Sequence, residues 1–148
     1  MAKIAIFPGS FDPFTRGHYN IVERGLPLFD RLIIGIGRNT TKSALYTLEE
    51  RQQQIEILFA NEPRIEVRIY DVLTADFAQQ VGANYILRGV RTVADFEYER
   101  TIAEVNKRLI HIETVLLFAD TETATISSSL VRELKAFGKD VTDFLPEA

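Results

Sequence analysis

Hydrophobic residues occur along the chain in short runs, and these runs alternate with segments whose apolar positions recur at helical spacing. Runs such as LIIGI and TVLLF are apolar throughout, which is typical of strands covered on both faces of a parallel sheet. The IEVRIY run alternates instead, which indicates a strand at the edge of the sheet. The predicted strands are Lys3–Phe7, Arg31–Gly37, Ile65–Tyr70, Asn84–Leu87 and Thr114–Phe118.

Helix signals fill the intervals between these strands. Thr47 and Glu50 form a capping box in T-L-E-E, ahead of apolar positions that share one helical face. Thr74 is predicted to cap a short helix that ends at Gly82. The remaining helices are predicted from about Val93 to Leu109, and over Ser127–Phe137 before Gly138.

This alternation predicts one doubly wound α/β domain with a five-stranded parallel sheet over residues 1–148. In such sheets, ligands bind outside the carboxyl ends of the strands, at the switch in strand order. The segments that follow the strands are therefore the candidate sites: Pro8–His18, Arg38–Tyr46, Asp71–Thr74, Arg88–Glu99 and Ala119–Ser129.

Composition narrows the classes of function. The chain has 46% hydrophobic and 26% charged residues, which is ordinary for a globular protein. It contains no run of apolar residues long enough to span a membrane, and its start lacks the features of a signal peptide. Cysteine is absent, so disulfides and thiolate metal sites are excluded and a cytoplasmic location is expected. The net charge of −4 argues against nonspecific binding of nucleic acid.

The first candidate site is T-R-G-H, Thr15 to His18, at the predicted start of a helix. A helix start offers free N–H groups and the positive end of the helix dipole, so it can bind phosphate. Gly17 allows the backbone to approach a ligand closely, and His18 can donate a hydrogen bond to a phosphoryl oxygen. A role for His18 in capping or packing alone is equally compatible with its position.

The second candidate is I-S-S-S-L-V-R, where three hydroxyls stand at a helix start. Such a start is a possible second anion site, although a serine-rich N-cap without a ligand is the simpler alternative. Arg132 lies one turn into this helix, where it can face solvent.

The third candidate, R-G-V-R-T-V-A-D-F-E-Y-E, places Arg88 and Arg91 on either side of Gly89 as a possible phosphate clamp. An i,i+4 pair of Arg91 with Asp95 would explain Arg91 but not Arg88. Neither H-E-x-x-H nor a close His/Asp/Glu cluster predicts a zinc site, and the absence of G-x-S-x-G argues against a serine hydrolase.

The order of these motifs is specific. G-S-F-D-P-F-T-R-G-H resembles the G-[ST]-F-D-P-x-[TH]-x-G-H signature of the nucleotidylyltransferase superfamily, and I-S-S-S-L-V-R resembles its second nucleotide motif. Within that superfamily, R-G-V-R-T-V-A-D-F-E-Y-E is similar to the signature of the bacterial phosphopantetheine adenylyltransferases. T-L-E-E-R and D-V-T-x-F-L-P agree as well, so the resemblance extends over essentially the whole chain.

The resemblance implies transfer of AMP from ATP to 4′-phosphopantetheine, which gives dephospho-CoA and pyrophosphate, the penultimate step of coenzyme A biosynthesis. It further implies a Rossmann-like fold, direct in-line attack of the substrate phosphate on the α-phosphate of ATP, and a homohexamer. Mg²⁺ is expected as the cofactor, held mainly through the ATP phosphates, without metal ligands from protein side chains.

The resemblance also assigns roles to individual positions. His18 matches the residue that stabilises the transition state. The expected ATP contacts are Ser10, Phe11, His18, Gly89, Val90, Arg91, Glu99, Thr123, Ala124, Thr125, Ile126, Ser127, Ser128 and Ser129. The expected phosphopantetheine contacts are Ser10, Lys42, Thr74 and Arg88.

Two alternatives remain open at this point. The first is another nucleotidylyltransferase, one that uses CTP or acts on nicotinamide mononucleotide, and the Arg88–Glu99 segment disfavours it because those enzymes differ there. The second is a non-catalytic nucleotide-binding or sensing domain. The presence of both T-R-G-H and I-S-S-S makes that alternative weaker.

Overall fold

A computed structural model describes residues 1–38 and 44–147. Strands and helices alternate along these residues, as the hydrophobic pattern predicts. The strands are β1 (Ile4–Gly9), β2 (Arg31–Gly37), β3 (Ile65–Tyr70), β4 (Tyr85–Val90) and β5 (Glu113–Phe118). The helices are α1 (Arg16–Gly25), α2 (Leu48–Leu58), α3 (Thr74–Gln80), α4 (Val93–Ile110) and α5 (Ser128–Ala136), with short 3₁₀ helices at Leu26–Leu28 and Thr142–Phe144. No helix within these residues has both the length and the apolar character to cross a membrane.

The five strands form one parallel sheet in the order β3-β2-β1-β4-β5. This arrangement confirms the predicted doubly wound α/β fold, and β3 lies at an edge as its alternating pattern indicates. The chain builds the sheet outward from β1 to β3 and then crosses back to β4, so the strand order switches between β1 and β4.

The switch point opens into a cleft. β1 and β4 pair at Ala5–Tyr85 and Ile6–Ile86. Beyond these positions β1 continues beside β2 as far as Gly9, and β4 continues beside β5 as far as Val90. The two central strands therefore part towards their carboxyl ends, which is where a ligand binds in such a sheet.

The core lies on both faces of the sheet. Phe7 and Ile34 belong to a cluster that includes Val22 of α1 and Ile55 of α2, whereas Ile6 belongs to a second cluster built around α3. Successive residues of a strand point to opposite faces, so a strand covered on both faces must be apolar at every position. This explains why the central runs show no alternation.

Helix ends follow the local sequence closely. The Thr47 hydroxyl accepts the Glu50 N–H and the Glu50 carboxylate accepts the Thr47 N–H, so the predicted capping box is confirmed. Gly82 and Gly138 have φ of 71° and 76°, the left-handed conformation that glycine adopts readily, and they follow α3 and α5 as predicted.

Three predicted boundaries are wrong. Leu73, not Thr74, is the N-cap of α3, and the Thr74 hydroxyl instead lies 2.9 Å from the Tyr70 hydroxyl. β4 extends through Arg88 and Gly89 to Val90, because these residues pair with β5. β1 likewise includes Pro8 and Gly9, which pair with β2. These residues are polar or turn-forming, so the sequence pattern did not predict them as the ends of strands.

Candidate functional site

A polar cavity of about 420 Å³ occupies the cleft between the diverging ends of β1 and β4. The starts of α1 and α5 form its walls, together with the ends of the two strands. Its described lining includes Ser10, His18, Arg88, Arg91 and Ser127. Two helix starts and several cationic side chains therefore face one space, which suits an anionic ligand.

The start of α1 fixes the His18 ring. Thr15 is the N-cap, and its hydroxyl accepts the His18 N–H. In return the Thr15 N–H donates to Nδ1 of His18 over 2.9 Å. A backbone N–H can only donate, so Nδ1 carries no proton and the neutral ring holds its proton on Nε2. His18 is thus a capping residue and a potential hydrogen-bond donor at the same time.

Three phenylalanine rings pack around His18. The ring centroids of Phe11, Phe14 and Phe7 lie 5.0, 5.3 and 6.3 Å from its own. Burial among them, followed by the positive charges of Arg88 and Arg91, lowers the pKa of His18 from 6.5 to about 3. The imidazole is therefore neutral throughout the physiological range.

Phe11 adopts an unusual backbone conformation. Its φ is 49°, in the left-handed region, and its side chain is buried. This conformation costs a bulky residue on the order of 1–3 kcal/mol, and it persists only where the surrounding structure imposes it. The strain lies beside His18, where it places the Phe11 ring edge-on to the imidazole.

The start of α5 is more than a serine-rich cap. Ser127 is the N-cap, and its hydroxyl accepts the Leu130 N–H at 3.1 Å. Ser128 donates to the Pro13 carbonyl at 2.8 Å, which joins α5 to the loop before α1. Both serines also line the polar cavity, so the cap and the predicted anion site are compatible.

Arg132 is turned towards the protein rather than fully out to solvent. Its Nη1 donates to the Asp12 carbonyl at 2.8 Å, and its Nη2 donates to Ser129 Oγ at 3.2 Å. It lines the polar cavity as well. It therefore adds a positive charge between the two helix starts.

The two arginines of R-G-V-R have different partners. Arg88 forms a two-pronged bond with Glu99, with Nε–Oε1 and Nη2–Oε2 distances of 2.9 and 2.7 Å, and also donates to the Pro8 carbonyl across the cleft. Arg91 lies 3.6 Å from Asp95 in the looser i,i+4 pair that the sequence allows. The Glu99 side chain is 8% exposed, whereas those of Arg91 and Asp95 are 37% and 31% exposed. The Arg88–Glu99 pair is thus the more firmly held.

A second, apolar cavity of about 460 Å³ adjoins the first. Ser10, Arg88 and Glu99 belong to the linings of both. Away from this shared wall, the second cavity runs along α4. There its described lining includes Leu73, Tyr98, Ile102, Val105 and Leu109.

A few polar groups interrupt this apolar lining. Thr74 and Asn106 are among them. Thr114 also lines the cavity, and its hydroxyl is buried without a hydrogen-bond partner in the described part of the chain. A buried hydroxyl left in this state is unfavourable unless a ligand or a water molecule bonds to it.

The structure brings most of the predicted contact residues together, although their roles stay predictions. Of the predicted ATP contacts, those that line the polar cavity are Ser10, Phe11, His18, Gly89, Val90, Arg91, Glu99, Thr123, Ile126, Ser127, Ser128 and Ser129. Ala124 and Thr125 do not line it. Of the predicted phosphopantetheine contacts, Ser10, Thr74 and Arg88 line the apolar cavity, and Lys42 lies outside the described residues.

Sequence reasoning did not assign Arg132, Asn106 or Thr114 to the cavities. Arg132 could have been found from its place one turn after the I-S-S-S start. Asn106 and Thr114 gave no signal, because nothing in their local sequence separates them from surface polar residues. Within residues 1–38 and 44–147, no group of three or more His, Cys, Asp or Glu side chains is arranged to hold a metal ion.

Comparison with known proteins gives a consistent family assignment. A family model described as cytidylyltransferase-like matches residues 6–134. The phosphopantetheine adenylyltransferases of Bacteroides thetaiotaomicron and Phocaeicola vulgatus are 54% and 57% identical to this chain, each over 97% of this chain and 95% of their own. That of Porphyromonas gingivalis is 55% identical over 98% of this chain and 95% of its own.

Solved structures share the fold at lower identity. A bifunctional NMN adenylyltransferase/ADP-ribose pyrophosphatase from Francisella tularensis, complexed with AMP and a manganese ion, superposes with a TM-score of 0.73 at 15% identity. The match covers 98% of this chain but only 44% of that longer one. A Vibrio parahaemolyticus protein described as a nicotinate-nucleotide adenylyltransferase gives a TM-score of 0.66 at 18% identity, over 99% of this chain and 95% of its own. On these matches, and above all on the relatives that share more than half of its residues, the chain belongs to the cytidylyltransferase-like family and, within it, to the phosphopantetheine adenylyltransferases.

Proposed function

We propose that this chain transfers the adenylyl group of ATP to 4′-phosphopantetheine, with dephospho-CoA and pyrophosphate as products. The observation that carries the proposal is the pair of adjoining cavities with Ser10 and Arg88 in their shared wall. A reaction between two phosphorylated substrates needs two sites that meet where the phosphates react. In coenzyme A biosynthesis this reaction is the penultimate step.

The polar cavity suits the nucleotide. It lies at the switch point of the sheet, where nucleotides bind in doubly wound folds, and the starts of α1 and α5 face it. Arg91 and Arg132 add positive charge beside these helix starts. We assign the triphosphate to this group of donors.

The apolar cavity suits the acceptor. Phosphopantetheine carries its phosphate on a long arm, in which methyl and methylene groups alternate with a hydroxyl and two amides before a terminal thiol. Arg88 and Ser10 at the shared wall would bind its phosphate, together with Lys42. The arm would then extend along α4 past Thr74, with Asn106 and Thr114 available to its amides.

The chemistry follows from these positions. The acceptor phosphate is already anionic at neutral pH, so it attacks the α-phosphorus without a general base. A bond forms between its oxygen and the α-phosphorus as the bond to the bridging oxygen of pyrophosphate breaks. The protein's contribution is to align two anions and to stabilise charge on the transferring phosphoryl oxygens.

His18 would supply that stabilisation. Its Nδ1 is occupied by the Thr15 N–H, so its proton lies on Nε2, the nitrogen available to a ligand in the polar cavity. A neutral donor held in place by a helix cap needs no reorganisation as charge develops. We assign His18 as the transition-state stabiliser.

Mg²⁺ would be held mainly by the ATP phosphates. The described carboxylates that line the polar cavity are Asp95 and Glu99, and each is paired with an arginine. This donor set fits a metal ion that takes most of its ligands from substrate oxygens and water. When bound, Mg²⁺ would neutralise phosphate charge and withdraw electron density from the leaving pyrophosphate.

We further infer that residues 1–148 act as a single nucleotidylyltransferase domain in a cytoplasmic homohexamer. Tyr98, Val105 and Leu109 of α4 are 63%, 47% and 56% exposed, and they follow one another on one face of the helix. These residues also line the apolar cavity, so a contact between subunits on this helix face would lie beside the acceptor site. Light scattering on the purified protein tests the assembly, with six chains expected and a monomer contradicting it.

The decisive experiment offers the purified protein ATP, Mg²⁺ and one acceptor at a time, and measures the release of pyrophosphate. The acceptors are 4′-phosphopantetheine, unphosphorylated pantetheine, nicotinamide mononucleotide and nicotinate mononucleotide. We expect release with phosphopantetheine alone. Release with a mononucleotide but not with phosphopantetheine would overturn the proposed acceptor, and ATP binding without release would overturn the enzymatic role.

A further inference from the structure

Arg51 is a buried arginine for which the proposed reaction has no use. It belongs to T-L-E-E-R at the start of α2 and is 4% exposed. Arginine is almost never buried to this degree unless its charge is paired. Arg51 lines neither cavity, so any part that it plays in the reaction is indirect.

The guanidinium of Arg51 joins two segments. Its Nη1 donates to the Ser10 carbonyl at 2.7 Å, and its Nε donates to the Tyr46 carbonyl at 3.0 Å. Nε also lies 3.9 Å from Oδ1 of Asp12, a buried carboxylate. That carboxylate accepts the N–H groups of Leu45 and Tyr46 at 2.8 and 2.9 Å. Arg51 and Asp12 therefore fix the loop before α1 against the segment before α2.

The residue between these two attachment points is Phe11. Arg51 contacts both neighbours of Phe11, Ser10 and Asp12, and Phe11 itself has the left-handed φ of 49°. A bulky residue stays in this conformation only where its surroundings hold it there. Its ring then lies edge-on to His18, with ring centroids 5.0 Å apart.

Asp12 is held from a second direction as well. Arg132 donates to its main-chain carbonyl at 2.8 Å, whereas Arg51 faces its side chain. The two arginines differ in one respect that matters for a test, because Arg132 lines the polar cavity and Arg51 does not. A change at Arg51 can therefore affect the site only through the segments that Arg51 holds, which are the loop before α1 and the segment before α2.

We propose that Arg51 is a positioning residue for His18. It maintains the left-handed conformation of Phe11, and the Phe11 ring, together with the Thr15 N–H at Nδ1, sets the orientation of the imidazole. The proposal rests on the proposed function, in which His18 Nε2 donates to the α-phosphate. Arg51 itself touches neither substrate.

The first test is spectroscopic and needs no catalysis. The chain has only two histidines, His18 and His111, so an NMR spectrum of the imidazole groups is simple, and an His111→Asn variant assigns it. Arg51→Lys keeps the charge but loses the planar fork that reaches two carbonyls. We expect the His18 ring signals to move in Arg51→Lys, because a displaced Phe11 ring changes their local field, while the His111 signals stay in place.

Gln52→Ala is the matched control on the same helix. Gln52 follows Arg51 and donates to the Val67 carbonyl at 3.2 Å, so its loss loosens α2 from β3 without touching the loop before α1. We expect both histidines to keep their wild-type signals in this variant. Unmoved His18 signals in Arg51→Lys, or equal movement in Gln52→Ala, would overturn the proposal.

The second test separates kcat from KM. In Arg51→Lys we expect kcat to fall between about 10- and 100-fold with smaller changes in either KM, because a misplaced donor weakens the transition state more than the bound substrate. A wild-type kcat in Arg51→Lys would overturn the proposal. If Arg51→Lys does not fold, Asp12→Asn takes its place with the same expectations. If the wild-type chain releases no pyrophosphate, the proposed function fails, and the His18 signals alone decide whether Arg51 positions the ring.

Discussion

The polar and apolar cavities share a wall, yet their linings are organised in opposite ways. In the polar cavity, groups that face the ligand are already bonded to the protein. His18 bonds to Thr15, Ser128 to Pro13 and Arg132 to Asp12. Along the apolar cavity, side chains of α4 form one wall, and the hydroxyl of the lining residue Thr114 has no partner in the described residues.

This difference matches two tasks, which are the stabilisation of charge during the reaction and the binding of a flexible substrate arm. A site that stabilises developing charge must have its donors fixed before the reaction begins, since moving them would cost free energy at that moment. A site that only binds a flexible arm needs apolar area and a few polar groups that the ligand completes. Changes in the polar cavity should therefore lower kcat, and changes in the apolar cavity should raise the KM for phosphopantetheine.

The largest effect is expected for His18→Ala. Removal of one fixed donor to a developing oxyanion costs about 2.7–4 kcal/mol, which corresponds to a kcat lower by roughly 100- to 1,000-fold. Steady-state measurement of pyrophosphate release gives kcat and both KM values.

The variant His18→Gln distinguishes the effect of losing the imidazole donor from the effect of losing the helix cap. Glutamine at the third position of a helix can complete a capping box, so this variant should keep α1 intact while its kcat stays low. Near-normal kcat with a raised KM in both variants would show that His18 binds substrate and does not stabilise the transition state.

The next effect is expected at the shared wall. Arg88→Ala should raise the KM for phosphopantetheine by about 10- to 100-fold, as the loss of a charged hydrogen bond to phosphate predicts, with a smaller change in kcat. Glu99→Gln should shift the same KM in the same direction by less, because it weakens only the bond that orients Arg88.

Isothermal titration with phosphopantetheine and with ATP distinguishes the two ligands in these variants. Unchanged affinity for phosphopantetheine in Arg88→Ala would refute the assignment of Arg88. If Glu99→Gln loses affinity for ATP but not for phosphopantetheine, then Glu99 contacts the nucleotide and does not act by orienting Arg88.

A third prediction concerns pH. The pKa of His18 is lowered from 6.5 to about 3, so kcat should show no step from this imidazole near pH 6.5. Stability should respond instead. The unfolded state takes up a proton at His18 below about pH 6.5 and the folded state does not until about pH 3, so the free energy of unfolding falls as pH decreases through this window.

Urea unfolding of wild type and His18→Gln at pH 7 and pH 5 measures this effect. At pH 5, His18 should lower the free energy of unfolding by at most about 2 kcal/mol, because each pH unit below 6.5 contributes up to about 1.36 kcal/mol. The decrease in the free energy of unfolding from pH 7 to pH 5 should be smaller in His18→Gln, because this variant has no imidazole at this position. Equal losses in the two proteins would show that His18 titrates normally.

The smallest effect is expected for Thr114→Val in the apolar cavity. If the unpartnered hydroxyl bonds to the acceptor arm, its removal should raise the KM for phosphopantetheine by about 2- to 10-fold and leave kcat nearly unchanged. The free energy of unfolding should stay the same or increase, because a buried hydroxyl without a partner is replaced by a methyl group of similar shape. A lower stability with an unaltered KM would show that the hydroxyl has a structural role.

The fold was largely predictable because its signals are local. Apolar runs define the five strands, and Thr47 with Glu50 defines the start of α2. The errors occur where polar or turn-forming residues continue a strand, as at Pro8 and Arg88, because pairing with a neighbouring strand outweighs local preference there. Likewise, Thr74 looks like a cap in sequence, but its hydroxyl bonds to Tyr70 in space.

The site was predictable only in part, for a related reason. His18 and the serines of α5 follow motif spacing, whereas Arg51 and Asp12 act through partners far away in the chain. Thr114 is distinguished only by the burial of its unpartnered hydroxyl. The left-handed conformation of Phe11 is also invisible in sequence, since phenylalanine rarely adopts it. Such features depend on tertiary contacts that no local pattern encodes.

Because β1 and β4 separate towards their carboxyl ends, the two halves of the sheet are joined by a short paired region. One half, β3-β2-β1, joins the other half, β4-β5, at Ala5–Tyr85 and Ile6–Ile86 and through the bond from Arg88 to the Pro8 carbonyl. A nucleotide in the cleft would contact both halves of the sheet and so hold them together. Substrate binding would then strengthen the sheet itself, and amide hydrogen exchange along both central strands would slow as the cleft fills.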